Sequence, residues 1–291
     1  MVKKYADLYL EARQTLIDAG EIPREAGVLA RQLLAFLSGK SHAQLIADSE
    51  KYAQDDVINA MNAAVRRLAA GEPMAYIMGE WEFYGLNLIV TPDVLIPRDD
   101  TVALAEIAIN QALFLEEKPR ILDLCTGSGC IGLAIASRVK DAKVTLADLS
   151  REALAVAKKN VTMHKMTGRV SCVHVDALQE PPAFLGQFDM IVSNPPYITT
   201  GEMGELERSV ADYEPHLALW GGEDGLDFYR SIAEKYRKCL KPGGYLCFEY
   251  GDTQGDDVCA ILTENGFTIR DRVRDYNDRE RAVIAQYCRE D

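Results

Sequence analysis

The chain has 291 residues, 48% hydrophobic and 26% charged, enough for one large domain and a smaller one with a core that folds without disulfide or metal staples. No stretch approaches the roughly 18 consecutive apolar residues of a membrane span, and Met1–Leu10, with two lysines and no apolar core, is not read as a secretory signal. A net charge of −13, from 45 acidic against 32 basic residues, argues against a long nucleic-acid footprint, and stable nucleic-acid binding is not expected.

The first seventy or so residues carry helical periodicity. Apolar positions recur at Tyr5, Leu8, Tyr9, Ala12 and Leu16, then at Val28, Leu29, Leu33, Leu34 and Leu37. Gly20 and Pro23 punctuate the first pair of helices, and Ser38-Gly39 closes the second. A third spans about Asp55–Ala69 and ends at Gly71 and Pro73. Residues 1–75 are read as a small helical domain, either a lid on the main body or a module for substrate recognition. From Trp81 to Pro97 the pattern turns strand-like: Leu86, Leu88 and Val90 alternate with other residues, Gly85 sits at a turn, and Pro92 and Pro97 bracket Val94-Leu95-Ile96. This predicts a β-hairpin linker over residues 76–100, followed by a helix over Thr101–Glu116.

After Pro119 strand and helix alternate. Strands are expected at Ile121–Leu124, Val144–Ala147, Val170–Val175 and around Met190–Val192, and, after a Lys241–Gly244 turn, at Tyr245–Tyr250. Helices are expected at Ile131–Val139, Arg151–Met166, Leu226–Leu240 and Asp256–Asn265. Such alternation implies an open, mostly parallel α/β sheet covered on both faces. The end differs: strands Thr268–Val273 and Ala282–Tyr287 flank the polar turn Asp275–Arg279 and form an antiparallel hairpin at the sheet edge.

Two segments carry chemistry. The first is Asp123-Leu124-Cys125-Thr126-Gly127-Ser128-Gly129, directly after a strand and before a helix. Ligands of doubly wound sheets sit at the carboxyl ends of the strands, and Gly127 and Gly129 let backbone approach a ligand closely. Asp148 ends the next strand, where a carboxylate can bind a ribose diol. A dinucleotide site looks similar, but the third glycine of its fingerprint is missing. The pattern suits S-adenosylmethionine better, since that ligand has no pyrophosphate to place on a helix N-terminus. Asp123 can orient the loop backbone or reach the ligand's ammonium through water; Asp176 either accepts from the adenine amine, with Ala177 and Leu178 as apolar cover, or is a solvated strand end.

The second segment is Asn194-Pro195-Pro196-Tyr197, after the fourth strand of the alternating region. The two prolines stiffen the loop and remove two backbone donors, leaving their carbonyls free to accept. With the Asn194 side-chain oxygen they can hold both hydrogens of a planar NH₂ group, directing its nitrogen lone pair at an electrophilic methyl, while Tyr197 packs on the flat face. The four histidines lie at no ligand spacing, and the seven cysteines form no CxxC pair, so no metal site is expected and the thiols read as reduced, in a cytoplasmic protein.

The two segments at this distance resemble the amino-directed, S-adenosylmethionine-dependent methyltransferases. Gly71–Gly79, Trp81–Gly85, Val94–Arg98, Glu214-Pro215, Ala218-Leu219, Gly222–Gly225 and Asp275–Arg281 narrow the resemblance to the family that methylates the glutamine of the Gly-Gly-Gln motif in peptide chain release factors. It spans roughly residues 24–287. It implies a seven-stranded Rossmann-like methyltransferase domain over residues 101–291 and a release factor as protein substrate. It also implies Asn194, Pro195, Pro196 and Tyr197 as catalytic residues. The cofactor residues implied are Asp123, Cys125, Thr126, Gly127, Ser128, Gly129, Asp148, Asp176, Ala177 and Asn194. Ribosomal-protein glutamine methyltransferases and nucleic-acid amine methyltransferases share Asn-Pro-Pro-Tyr and stand as alternatives. The chain departs from the family pattern at Cys125, where glycine is usual, at Asp99 and Val102, and at Ala177, where an aromatic residue often stacks.

Overall fold

The computed structural model describes residues 2–115 and 118–288. Glu116, where the sequence places the end of a helix, lies outside them, as do the terminal residues 1 and 289–291. In chain order the elements are α1 (Tyr5–Asp18), α2 (Pro23–Ser38), α3 (His42–Ala47), α4 (Asp55–Ala69), α5 (Met74–Met78), β1 (Glu80–Phe83), β2 (Leu86–Ile89), α6 (Thr101–Leu113), β3 (Arg120–Leu124) and α7 (Cys130–Arg138). Then follow β4 (Lys143–Asp148), α8 (Arg151–Met163), β5 (Val170–His174), β6 (Phe188–Ser193), α9 (Arg208–Ala211), α10 (Asp227–Lys235), β7 (Leu240–Glu249), α11 (Gly255–Glu264), β8 (Phe267–Arg274) and β9 (Glu280–Tyr287). Two compact units result: residues 1–79 with 208–213, and residues 80–207 with 214–291.

The helical unit is built around the periodicity seen in the sequence. Leu8, Leu16, Leu33, Leu34 and Met61 are almost fully buried in its core. Pro23 opens α2 and Gly39, with φ 65°, closes it. Helices α3 and α5 were not expected; at six and five residues they are too short for a periodic signal. α3 is set by a capping box, in which Ser41 Oγ accepts from Gln44 N–H and Gln44 Oε1 accepts from Ser41 N–H. Tyr213 donates to the Ala70 carbonyl at 3.3 Å, so the 208–213 segment is tied into this unit.

The larger unit is a seven-stranded sheet of order β5-β4-β3-β6-β7-β9-β8. The first five are parallel; β9 is antiparallel to both β7 and β8. Separate apolar clusters cover its two faces. The order reverses direction between β3 and β6, which places a crevice at their carboxyl ends. β1 and β2 form a hairpin whose two turn residues, Tyr84 (φ 52°) and Gly85 (φ 78°), both take left-handed backbone, as a type I′ turn requires. The extended run stops at Ile89. Val94 and Ile96 lie outside the strands; they are buried, and Ile96 N–H donates to Glu214 at 3.1 Å. The Lys241–Gly244 turn is a bulge inside β7, whose pairing jumps from Leu240 opposite Phe188 to Tyr245 opposite Met190. The helix expected to reach Leu240 ends at Lys235 and tightens into a 3₁₀ turn over Tyr236–Cys239. Among the described residues no helix is long and apolar enough to cross a membrane.

Candidate active site

A cleft, part of it open to solvent, lies at the carboxyl ends of the parallel strands. Cys125, Gly127, Asp148, Asp176, Ala177, Asn194 and Pro196 all line it. The strand register explains the gathering: β3, β4, β5 and β6 end at Leu124, Asp148, His174 and Ser193, so the loops after them open on one rim.

Asp123 is fully buried and does not line the cleft. Its Oδ2 accepts from Thr126 Oγ at 2.6 Å and from Gly132 N–H at 2.9 Å, so the carboxyl organises the glycine-rich loop from beneath. Burial raises its pKa to about 7. Thr126, Ser128 and Gly129 are likewise in the loop's underside. Asn160 braces it, donating to Ser128 O at 2.9 Å and to Ile89 O at 3.0 Å, which joins the loop to the hairpin. Gly127 has φ +52°, and a side chain there would meet nothing within 4 Å: its exposed face is free for a ligand. Asp148 Oδ2 accepts from Gly127 N–H at 2.8 Å and Oδ1 from Ser150 N–H at 2.9 Å, which fixes the carboxyl at the cleft. Burial holds its pKa above the ordinary value. Cys125 takes φ 61°, a left-handed conformation that glycine adopts freely and a side chain resists.

Asp176 Oδ1 accepts from Leu178 N–H at 2.8 Å, closing the turn after β5. α10 and the 3₁₀ turn after it hold that turn from behind: Ser231 donates to Ala177 O at 2.8 Å and Tyr236 to Asp176 O at 2.9 Å. Pro195 and Pro196 are buried while Asn194 and Tyr197 are half-buried. The Asn194 amide donates to Thr101 Oγ at 3.3 Å. Tyr197 O accepts from Gln254 at 3.1 Å, and Gln254 also reaches Gly225 O at 3.4 Å. Pro195 and Tyr197 do not line the cleft itself.

Several lining residues went unread in the sequence as site residues. Asp93, Val94 and Leu95 form one wall, Pro215, Leu217 and Ala218 another, and Phe228 contributes from α10. Arg98 pairs with Glu214, whose other oxygen takes the Ile96 N–H, so this ion pair ties the first wall to the second. In the sequence these segments show prolines, Pro92 and Pro97 around the first and Pro215 in the second, and they carry part of the family resemblance without revealing that they wall the cleft. The set fits S-adenosylmethionine: a carboxylate for a ribose diol, open backbone at Gly127, and apolar walls from Leu149, Val175, Ala177 and Phe228 for a purine.

A family model described as the methyltransferase small domain matches residues 104–212, and one described as the PrmC N-terminal domain matches residues 7–79. The solved structure of a methyltransferase from Pyrococcus furiosus superposes with a TM-score of 0.51 at 19% identity, over 71% of this chain and 91% of that one, which shows the shared fold. The release factor glutamine methyltransferase of Clostridium acetobutylicum is 38% identical over 253 residues, 87% of this chain and 88% of the relative. That of Chlorobaculum tepidum is 38% identical over 265 residues, 89% and 90% of the two chains. Identity of this extent, running through both units and across the cleft, places the chain in the release factor glutamine methyltransferase family.

Proposed function

We propose that the protein methylates the side-chain amide nitrogen of the glutamine in the Gly-Gly-Gln motif of a peptide chain release factor, using S-adenosylmethionine. The observation that carries the reading is that Asn194 and Pro196 line the same cleft as Gly127, Asp148 and Asp176, so an amide-gripping loop and a nucleoside-binding rim share one space. Gly127, Asp148, Asp176, Ala177 and Cys125 would hold the cofactor, whose sulfonium supplies an electrophilic methyl.

The chain's own residues position the acceptor. An amide nitrogen is a poor nucleophile because its lone pair is delocalised into the carbonyl. The Asn194 side-chain oxygen and a backbone carbonyl of the proline pair accept its two hydrogens and fix the NH₂ plane, and the stiff prolines keep those acceptors from following the substrate. Hydrogen bonds to a nitrogen that is gaining positive charge strengthen in the transition state, so they raise kcat more than they lower KM. The N–H proton leaves to water once the alkylated nitrogen has become acidic. The helical unit, with a family match of its own, supplies the surface that selects the protein substrate.

Methyl transfer from labelled cofactor tests this. Label should enter a release factor, survive nuclease treatment, and vanish when the Gly-Gly-Gln glutamine is replaced. A short Gly-Gly-Gln peptide should be a far poorer substrate than the whole factor; equal kcat/KM would remove the selecting role of the helical unit. Asn194→Ala should lower kcat about 10²- to 10³-fold, as losing one preorganised electrostatic contact does. Robust transfer to an adenine amine, with none to the release factor, would overturn the substrate assignment.

A further inference from the structure

Glu249 ends β7 and is 1% exposed, yet its Oε2 has no hydrogen-bond partner among the described residues. A buried, unsatisfied carboxyl is costly and calls for an explanation. The nearby cation does not neutralise it directly: Arg281 directs its hydrogen bonds to Asp275 and to Tyr250 O, and pairs with Asp100 at 3.3 Å.

The register shows what Glu249 stands against. Ser193 of β6 pairs with Phe248 of β7, so the next residues along the two parallel strands, Asn194 and Glu249, are neighbours at the carboxyl edge. Thr101, 2% exposed at the start of α6, completes a three-residue cluster. The Asn194 amide donates to Thr101 Oγ at 3.3 Å, and both side chains favour the charged form of the Glu249 carboxyl, against the burial that disfavours it. An asparagine amide has two chemically opposite ends, and either can face a substrate unless something holds one of them.

We infer that Glu249 is a positioning residue for methyl transfer: directly and through Thr101 it holds the Asn194 NH₂ away from the cleft, which leaves the Asn194 side-chain oxygen facing the acceptor amide. This rests on the proposed role of Asn194 in gripping that amide. No proton or electron pair passes to Glu249. Its negative charge, on the strand position beside Asn194, polarises the oxygen that meets the nitrogen as positive charge grows there.

The ionised form is the one that polarises, so kcat should follow its titration. Desolvation raises the Glu249 pKa to about 7. The groups facing it are Asp100 before α6, Cys130 in α7, Tyr197 after β6, Tyr229 in α10 and Arg281 in β9. Burial raises the pKa values of Cys130, Tyr197 and Tyr229, keeping these groups neutral near pH 7, and Arg281 stays charged. Asp123, beneath the glycine-rich loop and also at about 7, is common to wild type and variant, so the difference between their profiles belongs to Glu249.

The test uses full-length protein, a release factor and S-adenosylmethionine. Glu249→Ala should lower kcat about 10- to 100-fold, the usual worth of a group that orients a directly acting one, with KM for the factor and cofactor affinity within about threefold. Glu249→Gln keeps an acceptor of the same shape without the charge and should recover only part of that loss, to a kcat near that of the wild type at the acid end of its profile. The wild-type kcat should rise between about pH 6 and 8, and the rise should be absent in Glu249→Gln. Cofactor affinity by calorimetry reports folding of each variant. An unchanged pH profile in Glu249→Gln overturns the inference even where the alanine variant does not fold. So does a loss shared equally by both variants together with cofactor affinity, which marks a purely structural group. Asn194→Ala separates the two levels: if it is inactive while Glu249→Ala is normal, only the positioning role fails; if Asn194→Ala turns over normally, the reading of Asn194 fails with it.

Discussion

Asp148 and Cys125 show how single residues shape the cleft. Both Asp148 oxygens already accept backbone N–H groups, from Gly127 and Ser150, so the carboxylate is preorganised before any ribose meets it. Asp148→Ala should weaken S-adenosylmethionine binding by about 1.5–3 kcal/mol, the range for hydrogen bonds to a charged group. Calorimetry on the folded variant checks this, and unchanged affinity would remove Asp148 from the cofactor site. Cys125 is the opposite case, a residue in conflict with its backbone. Its φ of 61° costs a side chain about 1–2 kcal/mol, whereas glycine there adds about 0.4–1 kcal/mol of unfolded-chain freedom. Cys125→Gly should therefore raise stability to urea by about 0.5–1 kcal/mol, the difference of those two effects. A loss would mean that the thiol's packing against the apolar cluster outweighs the strain.

At the scale of elements, the Asn-Pro-Pro-Tyr loop is held in place from outside itself. The 221–225 turn presses on it so closely that only glycine fits at two positions. A side chain at Gly221 would meet Pro196 O and Tyr197 Cα, each at 2.6 Å. At Gly225, with φ +74°, it would run into Tyr197 O and into Gln254 Nε2, the group that ties the two loops together. Gly225→Ala should cost about 1–3 kcal/mol, as overpacking does, and should lower kcat more than cofactor affinity, because the displaced backbone carries the acceptor-facing groups. Chemical unfolding with paired turnover and binding assays checks both; intact kcat would show that the loop holds its own shape or that its backbone does not face the acceptor as proposed.

For the whole molecule, two buried carboxyls make stability depend on pH. Asp123 and Glu249 have folded pKa values of about 7, both raised by burial from ordinary values of 3.8 and 4.5. Between those limits the folded state keeps protons that the unfolded chain has released. Their contribution is thus full below about pH 4 and lost as pH rises through about 7. The melting temperature of the ligand-free protein should fall between pH 5 and 8, and fall less in Asp123→Asn and in Glu249→Gln. Equal slopes in all three by scanning calorimetry would show that neither carboxyl titrates high in the folded state.

Much of this architecture was legible because its causes are local. The helical periodicity of Leu8, Ala12 and Leu16, the alternation of β and α segments, and Gly127, Asp148 and Asn194 at strand ends follow from spacing within a few residues. The division of labour inside those motifs was not legible. Asp123 and Gly127 are four residues apart, yet one is sealed beneath the loop and the other opens on the cleft, a difference set by how α7 and β4 pack. In sequence Glu249 reads as one polar residue in an apolar strand. Only parallel pairing of β6 with β7 puts it beside Asn194, and only α6 brings Thr101 between them. Likewise the cleft walls at 93–95 and 215–218 are joined by the Arg98–Glu214 pair across more than a hundred residues of chain. Local pattern decided which elements form and where ligands can sit, since propensity and periodicity act over one or two turns. Tertiary structure decided which side chains face the ligand and which support them, since burial and long-range contact exist only once the sheet has closed its register.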